Sequence, residues 1–459
     1  MNLAETINHI YCIGIGGIGL SAIAEILIIK GYQVSGSDIK ESDITKRLDK
    51  LGATIYTGHD KDNIQNVDLV VYTAAVSSDN PELKFAKENN IPCMSRAEML
   101  GHIMRAYKNN VAVSGTHGKT TTTSMISLIL ENSSMDPTIL VGGKLDKIGG
   151  NVKVGNSPYL VTEACEYVDS FLKLSPRMEV ILNIDSDHLD YFKDIDHIVS
   201  SFEKFANLVP NDGLIVAYSA NAFVKSIINK VSCKVITFGF DSSCDYYAAN
   251  IKFNSEGMPM FDVVYQDKWL CNVQLSIPGE HNINNSLAAF ACCHSLGAPI
   301  DKIASTLQSF NGTQRRFDII GTTSKDIKVV DDYAHHPEEI KATLKACTNV
   351  PHKQLWCVFQ PHTFTRTKAL FNEFIDAFDC ADKVIITDIY AAREKNIYKI
   401  NSSDLVSEIK KSHPNKDICY LSSFDDIKSK VCENALPNDL VITMGAGDIY
   451  KVAEMIVED

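Results

Sequence analysis

The sequence predicts an α/β protein of three domains built on parallel sheets. Short apolar runs alternate with longer helical stretches along the whole chain, the pattern of successive β-α-β units. The alternation restarts twice, after Lys108-Asn109-Asn110 and near Arg315. Two glycine-rich turns, Gly14–Gly19 and Gly115–Gly118, each join an apolar run to a helical one. A length of 459 residues fits about three domains of roughly 150 residues each. The expected boundaries are 1–107, 108–312 and 313–459.

In the first unit, His9–Ile13 reads as a strand, Ile18–Lys30 as a buried helix, and Tyr32–Ser35 and Asp68–Tyr72 as further strands. Pro81 opens a helix over Pro81–Glu88, because proline is tolerated in a first helical turn, and Ala97–Tyr107 forms another helix. Lys108-Asn109-Asn110 reads as a polar linker. The second unit has strands at Val111–Val113, Tyr159–Thr162, Val180–Asn183 and Leu214–Val216, with helices at Thr122–Glu131 and Asn282–His294. Cys233–Leu275 reads as short strands separated by turns. The third unit has strands at Ile327–Val330, Leu355–Phe359, Lys383–Thr387 and Leu440–Met444, and helices at Pro337–Lys345 and Thr367–Phe378.

A formal charge of −13 argues against sequence-independent nucleic-acid binding, which needs Lys and Arg to displace counterions. The thirteen cysteines form no C-x-x-C pair and are too sparse for a disulfide scaffold, so reduced thiols in a cytosolic protein are expected. Ile10–Ile29 is apolar and about long enough to cross a bilayer. Glu25 inside it, the glycines at its start and the missing basic flank favour a strand, a turn and a helix instead, without membrane insertion.

Five groups of residues carry chemistry. Gly14-Ile15-Gly16-Gly17-Ile18-Gly19 lets the backbone turn tightly against a pyrophosphate at a helix N-terminus, and Asp38 follows near the spacing of a ribose-binding carboxylate. Taken alone, this turn fits a dinucleotide such as NAD equally well. Gly115-Thr116-His117-Gly118-Lys119-Thr120-Thr121 supplies backbone N–H groups for phosphate oxygens, a lysine for the β- and γ-phosphates and a hydroxyl for Mg2+, although the loop is shorter than the Walker A pattern. Glu163, Asp187 and His188 follow strands, at the sheet edge where ligands collect in open α/β folds. Asn282 and Asn285, three apart on one helix face, suit either a nucleoside or the capping of that helix. The last group contains Arg315-Arg316-Phe317, Asp331–Pro337 with His335 and His336, Gln360–Thr367, and the turn Gly445–Asp448. A nucleotide-dependent oxidoreductase or a nucleotide-binding switch explains one glycine turn each and leaves the other idle.

The ordered set G-I-G-G-I-G, G-T-H-G-K-T-T, E-A-C-E, D-H-L-D, H-N-I-N-N, R-R-F-D, D-D-Y-A-H-H-P, Q-P-H-T-F-T-R-T and M-G-A-G-D resembles the Mur ligase family, from Gly14 to Asp448. Within the family it is similar to members acting on UDP-N-acetylmuramate and L-alanine. The resemblance implies a Rossmann-like N-terminal domain for the UDP sugar, a central P-loop-type ATPase domain with β decoration, and a Rossmann-like C-terminal domain that closes over the amino acid. It implies that Gly14, Gly16, Gly17, Gly19, Ser37, Asp38, Thr73 and Ala74 contact the UDP sugar. ATP would be held by Gly115, Thr116, His117, Gly118, Lys119, Thr120, Thr121, Asn282, Asn285, Arg316 and Asp332. Mg2+ would sit on Thr120, Glu163 and His188, with His362 and Arg366 orienting the amino acid.

The implied reaction makes UDP-N-acetylmuramoyl-L-alanine, ADP and phosphate through an acyl phosphate, for peptidoglycan precursors. Lys119, Glu163 and His188 would be catalytic, and His335 or His336 would handle the amine proton. A cytoplasmic monomer or weak homodimer is implied. In the amino-acid loop the better-known pattern is H-R-x-[ST]-R, whereas this chain has Thr363 at the first arginine position, one cation fewer for a carboxylate. Several relatives carry a carbamylated lysine near the metals, a role not assigned here to Lys204.

Overall fold

A computed structural model describes residues 7–458; residues 1–6 and 459 of the expected outer domains lie outside the described residues. The chain builds three sheets in sequence order. The first contains β1 (His9–Ile13), β2 (Gln33–Asp38), β3 (Thr54–Thr57), β4 (Leu69–Tyr72) and β5 (Cys93–Ser95), all parallel, in the order β3-β2-β1-β4-β5. Strand order reverses between β1 and β4. The cleft at their carboxyl ends therefore receives both the glycine turn after β1 and Thr73–Val76 after β4, as expected of a doubly wound sheet.

The middle sheet has ten strands: β6 (Asn109–Ser114), β7 (Thr138–Leu145), β8 (Gly150–Lys153), β9 (Tyr159–Glu163), β10 (Met178–Ile181), β11 (Leu214–Tyr218), β12 (Lys234–Gly239), β13 (Tyr246–Phe253), β14 (Pro259–Tyr265) and β15 (Lys268–Gln274). Its parallel heart runs β12-β11-β10-β6-β9-β7, and the antiparallel β13-β14-β15 meander is the decoration expected over Cys233–Leu275. The third sheet contains β16 (Asp318–Thr322), β17 (Lys328–Asp332), β18 (Leu355–Phe359), β19 (Lys383–Ile386), β20 (Asp417–Tyr420) and β21 (Leu440–Met444), in the order β16-β17-β21-β18-β19-β20, parallel except at β16.

The apolar stretch Ile10–Ile29 is β1, a turn and the helix Ile18–Ile29, and among the described residues no helix is long and apolar enough to cross a membrane. Glu25 inside that helix is paired with Arg47 at 2.8 Å, which explains a carboxylate in an apolar run. None of the thirteen cysteines is in a disulfide.

Two element assignments need correction. Asn109 and Asn110 are not a linker but the start of β6. Buried Asn110 donates to the Met104 and Tyr107 carbonyls and accepts from the Arg177 amide, so tertiary partners satisfy the polar group that read as a loop signal. The helix expected over Thr367–Phe378 is two short helices, Phe364–Ala369 and Phe371–Ile375, broken at Leu370 (φ −107°, ψ 24°).

The cores show which domains are welded together. Met99, Leu100 and Ile103 of the first domain share one buried cluster with Phe171, Leu174 and Phe202 of the middle domain. The third domain has its own cores, to which the middle domain adds only the partly buried Leu189.

Candidate active site

The phosphate-binding turn is set by register. Central β6 pairs with β9, placing Val113 opposite Glu163, and with β10, placing Ser114 opposite Ile181. Glu163 and Asn183 therefore flank the loop that leaves β6. Asn183 clasps this loop: its Oδ1 accepts from the His117 amide at 2.8 Å, and its Nδ2 donates to the His117 carbonyl at 3.0 Å. Gly118 then turns with φ +85°, which favours glycine, and a Cβ there would meet Asn285 Oδ1 at 2.5 Å. The helix Lys119–Asn132 starts behind it with no side-chain cap, leaving its first N–H groups for an anion.

Lys119 does not hang free. Its ammonium donates to the Gly115 and Thr116 carbonyls and pairs with Glu166 at 2.9 Å. Burial disfavours the charge, but Glu166 outweighs it and raises the Lys119 pKa. His188 Nε2 lies 3.9 Å from the same Glu166 carboxylate, and its ring packs tilted against Tyr167 with centroids 4.8 Å apart. Glu163 accepts from the Gly142 amide at 2.6 Å, and its charge adds to the rise at Lys119. Glu166, the last residue of E-A-C-E, is thus the link between Lys119 and His188. The motif displayed it, but only Glu163 was singled out from sequence.

Three cavities contain the expected site residues, and one of them is lined by the loop itself. One of about 270 Å³ is lined by His117, Gly118, Thr121, Asn282, Asn285, Arg316 and Asp332, all expected at a nucleotide. Gly115, Thr116, Lys119 and Thr120 do not line it. Asn282 is not a cap: the helix begins at Glu280, Asn282 Nδ2 returns to the Pro278 carbonyl, and Asn285 Nδ2 donates to Asn282 Oδ1. Burial pushes Asp332 up to about 6 although Arg316 opposes it. Arg315 points elsewhere, clasping Asp331 and the Gly445 and Gly447 carbonyls.

A second cavity of about 980 Å³ is lined by Gly14, Gly17, Gly19, Asp38, Thr73, Ala74, Arg96 and Glu163. Two of the expected residues do not line it. Ser37 is fully buried, its hydroxyl donating to Glu82 Oε2 at 2.6 Å and lying 2.9 Å from His59 Nδ1. Gly16 faces Asp38, whose Oδ2 accepts its N–H at 2.9 Å while Oδ1 accepts from Ile39. The Asp38 carboxylate thus ties the turn together, which weakens the dinucleotide reading that needs it for a ribose.

The third cavity, about 400 Å³, contains His188, His362 and Arg366, with Tyr167 and Arg393 shared with the second. Arg366 donates to Asp187 Oδ1 at 2.8 and 3.1 Å and to His362 at 3.0 Å. Burial opposes the Asp187 charge, yet Arg366 and His188 hold this carboxyl well below the usual range. Burial lowers His362 to about 4 and His335 to about 3.

His336 is consumed structurally, against expectation. Nε2 donates to the Ser186 carbonyl at 2.9 Å and Nδ1 accepts from the Glu338 amide, capping the helix Pro337–Asn349. His117, Asp185 and His336 bring potential ligand atoms within 4.8 Å of one another. Despite burial, Asp185 and Glu339 raise the His117 pKa to about 9, which favours its charged form between the two carboxylates.

A glycine-turn cleft, a phosphate loop and a pocket holding His362 and Arg366 of the third domain make the layout of a multidomain ligase, and the chain belongs to the Mur ligase family. The family's catalytic-domain model matches residues 9–108, its middle-domain model 113–293, and its glutamate ligase domain model 315–447. The chain is 53% identical to the UDP-N-acetylmuramate–L-alanine ligase of Alkaliphilus metalliredigens, over 99% of this chain and 98% of that one. It is 54% identical to the enzyme of that name from Acetivibrio thermocellus, over 98% and 96%. Among solved structures it is similar to the UDP-N-acetylmuramate-alanine ligase of Thermotoga maritima, with a TM-score of 0.81, 30% identity and 98% coverage of both chains.

Proposed function

We propose that the protein joins L-alanine to the carboxylate of UDP-N-acetylmuramate at the expense of ATP, in the cytoplasm, as a step in peptidoglycan precursor synthesis. The observation that carries this reading is the arrangement about the Lys119–Glu166 pair: the loop residues His117 and Gly118 line one cavity, Glu163 lines a second, and the second shares Tyr167 and Arg393 with the cavity of His362 and Arg366. The sugar carboxylate oxygen attacks the γ-phosphorus and ADP leaves, giving an acyl phosphate. The alanine amine then adds to the acyl carbon, and the tetrahedral adduct expels phosphate and forms the amide. Arriving phosphate oxygens draw Lys119 from Glu166, so the ammonium is already at hand when charge develops.

Thr120 and Glu163 would offer oxygen donors to a bound Mg2+, with the His188 imidazole as the third residue of this reading. Neither the Thr120 hydroxyl nor Glu163 Oε2 takes a hydrogen bond among the described residues, and hard oxygen donors suit this ion. When bound, Mg2+ neutralises the phosphate charge. The amine must lose a proton. With its Nδ1 donating to the Tyr333 carbonyl, His335 keeps Nε2 as an acceptor, and its ring lies 5.7 Å from His362. The same reading takes the protein to act as a monomer or weak homodimer, without nucleic acid or membrane insertion.

The test is phosphate release from ATP with UDP-N-acetylmuramate and a panel of amino acids and a tripeptide. Release is expected only with the sugar nucleotide and L-alanine together; release with neither acceptor present refutes the reading. Lys119→Ala is expected to abolish turnover with an unchanged thermal transition, and near-normal turnover would remove Lys119 from phosphate binding.

A further inference from the structure

We propose that Arg393 is the guanidinium that receives the carboxylate of the incoming amino acid, in place of the arginine absent at Thr363. This rests on the ligase reading above and adds a residue to it. Thr363 carries no charge, and its hydroxyl is used to cap Phe364–Ala369 by accepting from the Arg366 amide. Arg366 lines the third cavity, but its charge is already matched: two of its nitrogens bind Asp187 and a third binds His362. A carboxylate entering there meets a neutralised pair, not an available cation.

Arg393 is different. It lines the third cavity and also the larger sugar-nucleotide cavity, so it stands where the two open into each other. Among the described residues it makes no hydrogen bond or ion pair, and its charge is felt by Tyr167, which lines both cavities too. Its place is fixed by the backbone. The Thr363 amide donates to the Tyr390 carbonyl at 2.9 Å, the Tyr390 amide to the Pro361 carbonyl at 2.8 Å, and the Thr365 amide to Glu394 at 2.8 Å. The Tyr390 ring stacks on His362 at 5.8 Å, and Ala392 takes a left-handed φ of +51° that turns the chain just before Arg393.

The remaining carboxylates of this cavity, Asp190 and Glu394, accept from Tyr167 and Thr365 and suit the ammonium end of the same zwitterion. A planar fork opposite them fixes both the charge and the direction of the amino acid. The two cavities share this residue, so the carboxylate it holds lies beside the sugar acid that the amine must reach.

The experiment compares wild type, Arg393→Gln and Arg393→Lys in steady-state phosphate release, with L-alanine and with L-alaninamide, which keeps the amine and lacks the charge. Wild-type turnover is measured first across the amino-acid panel. If another amino acid is used, the same comparison is made with it and its amide, so a wrong substrate and a wrong role for Arg393 give different results. Arg393→Gln is expected to raise KM for the amino acid about ten- to a hundredfold, the effect of losing a charge-assisted contact. It should leave kcat and the KM of ATP and UDP-N-acetylmuramate unchanged and abolish the preference for acid over amide, and Arg393→Lys should restore part of the loss. An unchanged amino-acid KM, a retained preference, or a rise confined to the KM of UDP-N-acetylmuramate would overturn the assignment.

Discussion

One carboxyl lies beneath the phosphate loop with no cation among the described residues to balance it. Glu179 on β10 is fully buried, and its Oε1 accepts the Ser114 hydroxyl at 2.8 Å. Burial pushes its pKa from 4.5 up to about 8, so the folded protein keeps it neutral. The sign follows from linkage. Below about pH 4.5 both states hold the proton and stability is intact; as pH rises towards 8 only the unfolded chain releases it, and stability falls by about 1.4 kcal/mol per pH unit. Thermal unfolding of Glu179→Gln should therefore show a growing advantage over wild type between about pH 5 and about pH 8; parallel curves would mean that Glu179 is ionised in the fold. Glu179 sits in an ordinary apolar strand pattern, and the sequence offers no sign that its side chain faces inward. The same is true of Ser37, whose neighbours Gly36 and Asp38 flank a residue turned onto buried Glu82. By contrast, the motif residues Lys119 and Asn282 lie at a turn and a cavity expected from strand-turn-helix order, and Arg366 lies at a cavity as the family resemblance implies.

Among the elements, the loop of Gly115–Gly118 and the helix behind it act as one device. Gly118→Ala would place a methyl against Asn285 Oδ1 in a left-handed conformation. A loss of about 1–3 kcal/mol of stability is expected, with a raised KM for ATP because Asn285 and Gly118 line the same cavity. A variant with unaltered stability and ATP KM would show the loop to be plastic. The helix Pro337–Asn349 makes the complementary point. Its start at Pro337 is legible from the proline, but the use of His336 as its cap is not, since a histidine beside another histidine reads as chemistry until the Ser186 carbonyl and Glu338 amide are seen to occupy it.

Across the whole molecule, the first two domains share an apolar core whereas the third meets the middle one through polar ties: Arg366 to Asp187, His336 to Ser186, and His117 to Glu339 at 3.0 Å. Polar interdomain contacts exchange with water more readily than a continuous core, so the third domain is the one expected to move. Small-angle scattering should show compaction when an ATP analogue and UDP-N-acetylmuramate are added together, with the third domain closing. An unchanged radius of gyration would count against closure.

The sequence by itself determined the α/β class, the order of the three sheets, both glycine turns and several of the residues that line the cavity beside the phosphate loop. These depend on local periodicity and on the fixed edge at which a parallel strand hands over to a helix. Only the tertiary structure decided what each charged group is paired with. Lys119 rests on Glu166, Asp38 serves the turn it follows, Arg366 is spent on Asp187 and Arg393 stands unmatched between two cavities. Pairing across domains joins residues far apart along the chain, and no local pattern carries that information.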